Sequence, residues 1–110
     1  MEAGTIVLVH LHTPKEKYWG VLHSLDAAGV TVRGIDVALF DDWARQTRSG
    51  AEAELGVVTL FLPLHRVEKI FEDTRVGAVA SYQERFFEIV GRDVRAYLGE
   101  PAAARAERPN

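Results

Sequence analysis

Leu55-Gly56-Val57-Val58-Thr59-Leu60-Phe61-Leu62 is the most apolar run in the chain. It is short, contains valines and an aromatic residue, and ends at Pro63, which removes a ladder donor, so it reads as a strand. Both of its faces are apolar, so it must be covered twice, once by a core and once by something else. A long apolar edge strand left bare invites aggregation, so the second cover is expected to come from another copy of the chain.

Strands are also expected on either side of this run. Thr5 to His12 is rich in β-branched residues, with His10 and His12 sharing a face at period two. Thr13-Pro14-Lys15-Glu16-Lys17 is turn chemistry, and Tyr18 to Leu25 forms a second strand in which Gly20 predicts a bend or a close backbone approach. Asp26-Ala27-Ala28-Gly29 makes a tight turn into a third strand, Val30 to about Phe40, interrupted at Gly34. Asp41 or Asp42 caps one or two helical turns through Trp43 to Gln46, and Thr47 to Ala53 reads as a mobile loop. Leu64 to Phe71 is a turn and a short fifth strand. Ser81-Tyr82-Gln83-Glu84 fits a capping box, opening an amphipathic helix from Tyr82 to Leu98. Its apolar stripe holds Tyr82, Phe86, Phe87, Ile89, Val90, Val94, Tyr97 and Leu98, while Gly91 lies on the charged side. Gly99 and Pro101 stop the helix, and residues 101–110 read as a frayed tail. The fold class is therefore mainly β, a small, strongly bent five-stranded antiparallel barrel with a C-terminal α-helix, in one domain spanning residues 1–100.

Composition narrows the function classes. A chain of 110 residues, 47% hydrophobic and 26% charged, is an ordinary globular protein. With no cysteine, thiol catalysis and thiolate metal sites are excluded. Met1-Glu2-Ala3-Gly4 carries no basic segment and no apolar run could span a bilayer, so a cytoplasmic location without membrane attachment is expected. The 13 Lys/Arg and 16 Asp/Glu give a net charge of −3, so any nucleic-acid binding must come from a local patch.

The pattern Val7-x-Val9-x-Leu11, Gly20-x-Leu22, Leu25-Asp26 and Val30-x-Val32 resembles the first motif of the Sm-like proteins, which are small SH3-like barrels. Leu55-Gly56-x-Val58, followed by Val67-x-x-Ile70, resembles the second; together they cover residues 5–71. The resemblance implies a ring of six or seven subunits, with strand four of one pairing with strand five of the next. The expected interface residues are Val57, Val58, Leu60, Leu62, Val67 and Lys69. It also implies an RNA pocket, to which Asp26 and Gly29 correspond, but the base-reading asparagine position is Val30 and the basic-Gly pair is replaced by Pro63-Leu64. His65 and Arg66 lie close by and offer stacking and phosphate contacts, or Arg66 is a solvated turn residue.

His10 and His12 are weak metal candidates, joined by His23 only if a four-residue turn aligns it with their face. Two histidines on a strand fall short of the three ligands of a catalytic zinc site. No phosphate-binding glycine loop or nucleophile elbow is present, no catalytic residue is assigned, and no cofactor is expected. Asp41-Asp42 is read as capping rather than acid–base chemistry, Trp19 as core, and Trp43 as tucked over the barrel or part of a contact surface. Three functions follow in order: a non-catalytic ring-forming interaction module with weak, altered or absent RNA binding; an RNA chaperone-like module using His65 and Arg66; and a metal-dependent protein or enzyme using His10 and His12.

Overall fold

The computed structural model of the protein describes residues 1–50 and 56–99. Strands β1 (Ile6–Leu11), β2 (Glu16–Leu25) and β3 (Gly29–Asp36) lead through a 3-10 turn at Val37–Leu39 into helix α1 (Phe40–Ser49). Strand β4 (Val58–Pro63), a 3-10 turn at Leu64–Arg66 and strand β5 (Val67–Glu72) follow, then helices α2 (Tyr82–Val90) and α3 (Arg95–Leu98). The five strands form one antiparallel sheet in the order β4-β3-β2-β1-β5, so the mainly β class expected from the sequence is the observed one.

The two faces of this sheet are covered differently. One carries Ile6, Leu8, Trp19, Val21 and Ile35, buried beneath Phe40, Trp43 and Ala44 of α1, Phe86 of α2, and Val94 and Leu98 near α3. The other carries Val7, Val9, Leu11, Leu22, Val30, Val32 and Leu62, with Leu60, Val67 and Ile70 at its margins. Every member of that second cluster is a strand residue, yet Val7, Val9, Val30 and Val32 are fully buried. With no helix residue in this cluster among the described residues, the face is buried by the sheet curling over itself.

The curl has a local cause. Gly20 pairs with Gly34 across β2 and β3, in a row continued by Val7 on β1 and Val58 on β4. A Cβ on Gly34 would lie 2.0 Å from the Trp19 carbonyl oxygen, and one on Gly20 would lie 2.3 Å from that of Arg33. The two backbones therefore approach more closely than side chains permit, which is the close approach expected at Gly20.

Trp19 is fully buried at the centre of the helix-covered face, surrounded by Phe40, Trp43 and Tyr82. Trp43 is tucked into this cluster rather than presented to solvent. A buried indole needs an acceptor for its N–H, and Trp19 Nε1 donates to Asp73 Oδ2 at 3.0 Å. The same carboxylate accepts from the amides of Tyr82 (2.8 Å) and Gln83 (2.9 Å), in the first turn of α2. The capping box holds as expected, with Ser81 Oγ accepting from Glu84 N and Glu84 Oε1 from Ser81 N. All four amides from Ser81 to Glu84 thus have acceptors before the helical ladder starts at Arg85. Arg85 then lies over the rings of Phe40 and Tyr82 and pairs with Asp41, fastening α2 to α1.

Several expected boundaries are corrected. The third strand ends at Asp36, whose carboxylate caps the 3-10 turn by accepting from Ala38 N at 2.8 Å. Helix α1 runs to Ser49, farther than the expected one or two turns, because Phe40, Trp43 and Ala44 give it a buried face. The expected helix over Tyr82–Leu98 is two helices. Gly91 takes a left-handed conformation (φ 79°) and donates to Phe87 O, so it closes α2 rather than lying in a helix interior. Phe87, expected on the buried stripe, is 59% exposed. Of the run at Leu55–Leu62, Gly56 and Val57 precede β4 and Leu55 lies outside the described residues, as do residues 51–53 of the expected loop and the 101–110 tail. No helix among the described residues is long and apolar enough to cross a membrane.

Candidate functional site

Strand β4 pairs with β3 from Gly29↔Pro63 to Gly34↔Val58, and its other ladder has no partner strand among the described residues. Leu62 is buried in the second cluster and Leu60 half-buried at its margin, whereas Val58 and Phe61 are 49% and 56% exposed. At the opposite edge, β5 pairs among the described residues only with β1 and places Val67 and Ile70 at the margin of the same cluster. Among the expected interface residues, Val57 differs, because it packs against its own chain's helix-covered cluster.

The residues expected around RNA are brought close together. Asp26 Oδ1 accepts from the amides of Ala28 (2.8 Å) and Gly29 (3.3 Å), holding the β2–β3 turn, and Ala28 O accepts from Leu64 N at 3.0 Å. The turns carrying Asp26–Gly29 and His65–Arg66 are therefore neighbours. The Asp26 and Arg66 side chains are engaged within the chain, while His65 is exposed. Arg66 donates to His12 O, Pro14 O (2.8 Å) and Glu16 Oε1 (2.8 Å), clamping the β1–β2 turn, and its hydrogen bond holds the Glu16 carboxyl below the usual range. Val30, at the position of the base-reading asparagine, is fully buried opposite Leu62. Gly29 is covered by Phe61, and a Cβ there would lie 2.3 Å from Leu62 O.

The histidines do not converge. The β1–β2 turn has the four residues that would align His23, yet β2 has a register irregularity between Leu22 and Ser24. His10 stands opposite Lys17, six residues and about 20 Å of strand from His23. His12 lies in the turn, 3.2 Å from Thr13 Oγ1. No group of three His, Cys, Asp or Glu residues positioned for a metal occurs among the described residues.

His10 has a different neighbourhood. It is directly opposite Lys17 on β2 and directly opposite Lys69 on β5, making a row of three basic side chains across adjacent strands. The next row is Trp19, Leu8 and Phe71, and the His10 ring meets Phe71 edge-on at 4.9 Å. Burial, then Lys17 and Lys69, lower the His10 pKa below its ordinary 6.5, with Glu68 opposing them. The chain matches no known family model, no curated protein and no solved structure.

The row has a pH consequence. Because the folded state depresses the His10 pKa, the unfolded chain binds more protons below pH 6.5, and stability falls as the solution is acidified. Urea midpoints are expected to drop between about pH 7.5 and about pH 5.5, and to drop less in His10→Gln. Equal drops in the two proteins would show that folding does not depress the His10 pKa.

Proposed function

We propose that the chain is a non-catalytic interaction module that assembles with copies of itself by pairing β4 of one with β5 of the next, as the likeness to Sm-like proteins implies. The observation that carries this reading is the outer ladder of β4, which has no partner strand among the described residues, with Val58 and Phe61 about half exposed. An edge of this kind is a template for another strand. Its natural complement is β5, because Leu60 on one edge and Val67 and Ile70 on the other are margins of one apolar layer. Setting β5 of a second copy beside β4 continues that layer across the joint. The two edges are different surfaces, so the contact is head-to-tail and closes into a ring when the rotation permits. With Arg66 held by the β1–β2 turn and Val30 buried, RNA binding at the pocket implied by the likeness is weak or lost.

Size-exclusion chromatography with light scattering tests the assembly. The expected mass at micromolar concentration is a whole multiple of the chain mass, and a monomer overturns the reading. The double variant Val58→Lys, Phe61→Lys places charge on the edge and is expected to give monomer. Since both side chains are half exposed, its folding stability should change by less than about 1 kcal/mol.

A further inference from the structure

The row formed by Lys17, His10 and Lys69 is an electrostatic anomaly. Directly opposed residues on antiparallel strands have Cβ atoms about 5 Å apart, so His10 meets a lysine on each side and the two lysines face each other across β1, about 10 Å apart, with their like charges opposing folding. The structure does little to offset this. Neither lysine has an ion pair among the described residues, where the salt bridges are Arg66–Glu16, Arg75–Glu84 and Arg85–Asp41. Glu16, the acid beside Lys17 in sequence, is held by Arg66, which leaves Glu68 as the carboxylate acting on His10.

Two hollows meet at this row. One, of about 290 Å³, is lined by His10, Lys15, Lys17 and Lys69 together with Glu16 and Glu68. The other, of about 200 Å³, shares His10 and Lys17 but is walled by Leu8, Phe71, Val76, Val79 and Tyr82. Val76 and Val79 are held by reciprocal backbone hydrogen bonds of 3.0 and 2.9 Å, in a small hairpin that leaves both about 70% exposed. Phe71, at their side, is 38% exposed. Asp73 also borders this hollow, but its carboxylate oxygens already accept from Trp19, Tyr82 and Gln83. A cationic hollow continuous with an apolar, aromatic one fits a ligand that is anionic at one end and flat and apolar at the other.

We infer that this surface binds a nucleotide, its phosphate on Lys17, His10 and Lys69 and its base against Phe71 between Val76 and Val79. Ammonium groups supply the phosphate contacts and the aromatic ring a stacking surface open to any base. The site borders the β1–β2 turn that Arg66 clamps, since Lys15 and Glu16 line its first hollow, but it does not require strand-paired assembly, whose success or failure is read separately by light scattering.

Titrating the 15N-labelled full chain with AMP, UMP, inorganic phosphate, oligo(A) and oligo(U) at low and moderate salt tests the inference. AMP or UMP should give saturable shifts centred on His10, Lys17, Lys69 and Phe71, weakened by salt, with inorganic phosphate weaker. In Lys17→Ala, Lys69→Ala, nucleotide affinity should fall about tenfold or more, while the melting temperature holds or rises because like charges have been removed. Phe71→Ala should weaken AMP and leave inorganic phosphate unchanged. Tighter binding of an oligonucleotide than of AMP identifies a strand as the source of the phosphate, and the reverse identifies a free nucleotide. Absence of saturable shifts, shifts centred on Asp26 and His65, or undiminished affinity in the lysine variant overturns the inference.

Discussion

Asp73→Ala is expected to lower the folding free energy by about 3–5 kcal/mol, read as a drop in urea midpoint with an unchanged denaturant slope. The side chain is 4% exposed and its two oxygens accept from three N–H groups. Alanine leaves the Trp19 indole N–H without an acceptor at a fully buried position. It also returns two amides of the first turn of α2 to the unsatisfied state of a bare helix N-terminus. Each stranded buried donor costs about 1–3 kcal/mol, and the amides nearest solvent recover part of that from water. Asp73→Asn separates the contributions, because it keeps one acceptor oxygen but presents an N–H₂ where the other stood. A loss of roughly half is expected for it. Within about 0.5 kcal/mol of the parent, Asp73→Ala would show that the sheet and α2 do not depend on this joint.

Period and punctuation carried most of the fold. Five strands, the capping box at Ser81 and Glu84, the close backbone approach at Gly20 and the burial of Trp19 and Trp43 all follow from local patterns that the structure repeats. The errors fall where tertiary contact overrides local preference. Helix α1 is longer than its polar sequence suggests because the sheet gives Phe40, Trp43 and Ala44 something to cover. The last helix breaks at Gly91 because a glycine in a left-handed conformation closes a helix as readily as it weakens one. Asp73 went unread, since its three donors come from β2 and the start of α2; the buried indole of Trp19 was the only hint that some acceptor must be near.

The candidate sites were legible unevenly. The apolar edge at Val58 to Leu62 is a composition signal and could be seen directly. The basic row could not, because Lys17, His10 and Lys69 become neighbours only through two strand registers, and a shift of one residue in either would send a side chain to the other face. Arg66 illustrates the converse. Its position beside the expected RNA pocket was plain, but the direction of its side chain, toward His12, Pro14 and Glu16, is a property of the folded turn.

Gly34→Ala is the other substitution expected to have a large effect, a loss of about 3 kcal/mol or more. The atoms in the way are backbone: the Trp19 carbonyl oxygen at 2.0 Å from the new Cβ and the Gly20 Cα at 2.7 Å. Neither can rotate aside, so β3 must draw away from β2 and strain the pairs Trp19↔Ile35 and Gly20↔Gly34. That movement loosens the curl that buries Val30 and Val32, and it shifts β4, which is anchored to β3 from Gly29 to Gly34. The edge proposed for assembly is thus aimed by two glycines on other strands, and oligomerisation should weaken together with stability. Gly56→Ala is the matched control, because nothing lies within 4 Å of its added Cβ, and it is expected to be neutral or to stabilise by about 0.4–1 kcal/mol. If the two variants unfold at the same urea concentration, the close approach of β2 and β3 is not what bends the sheet, and the placement of β4 needs another cause.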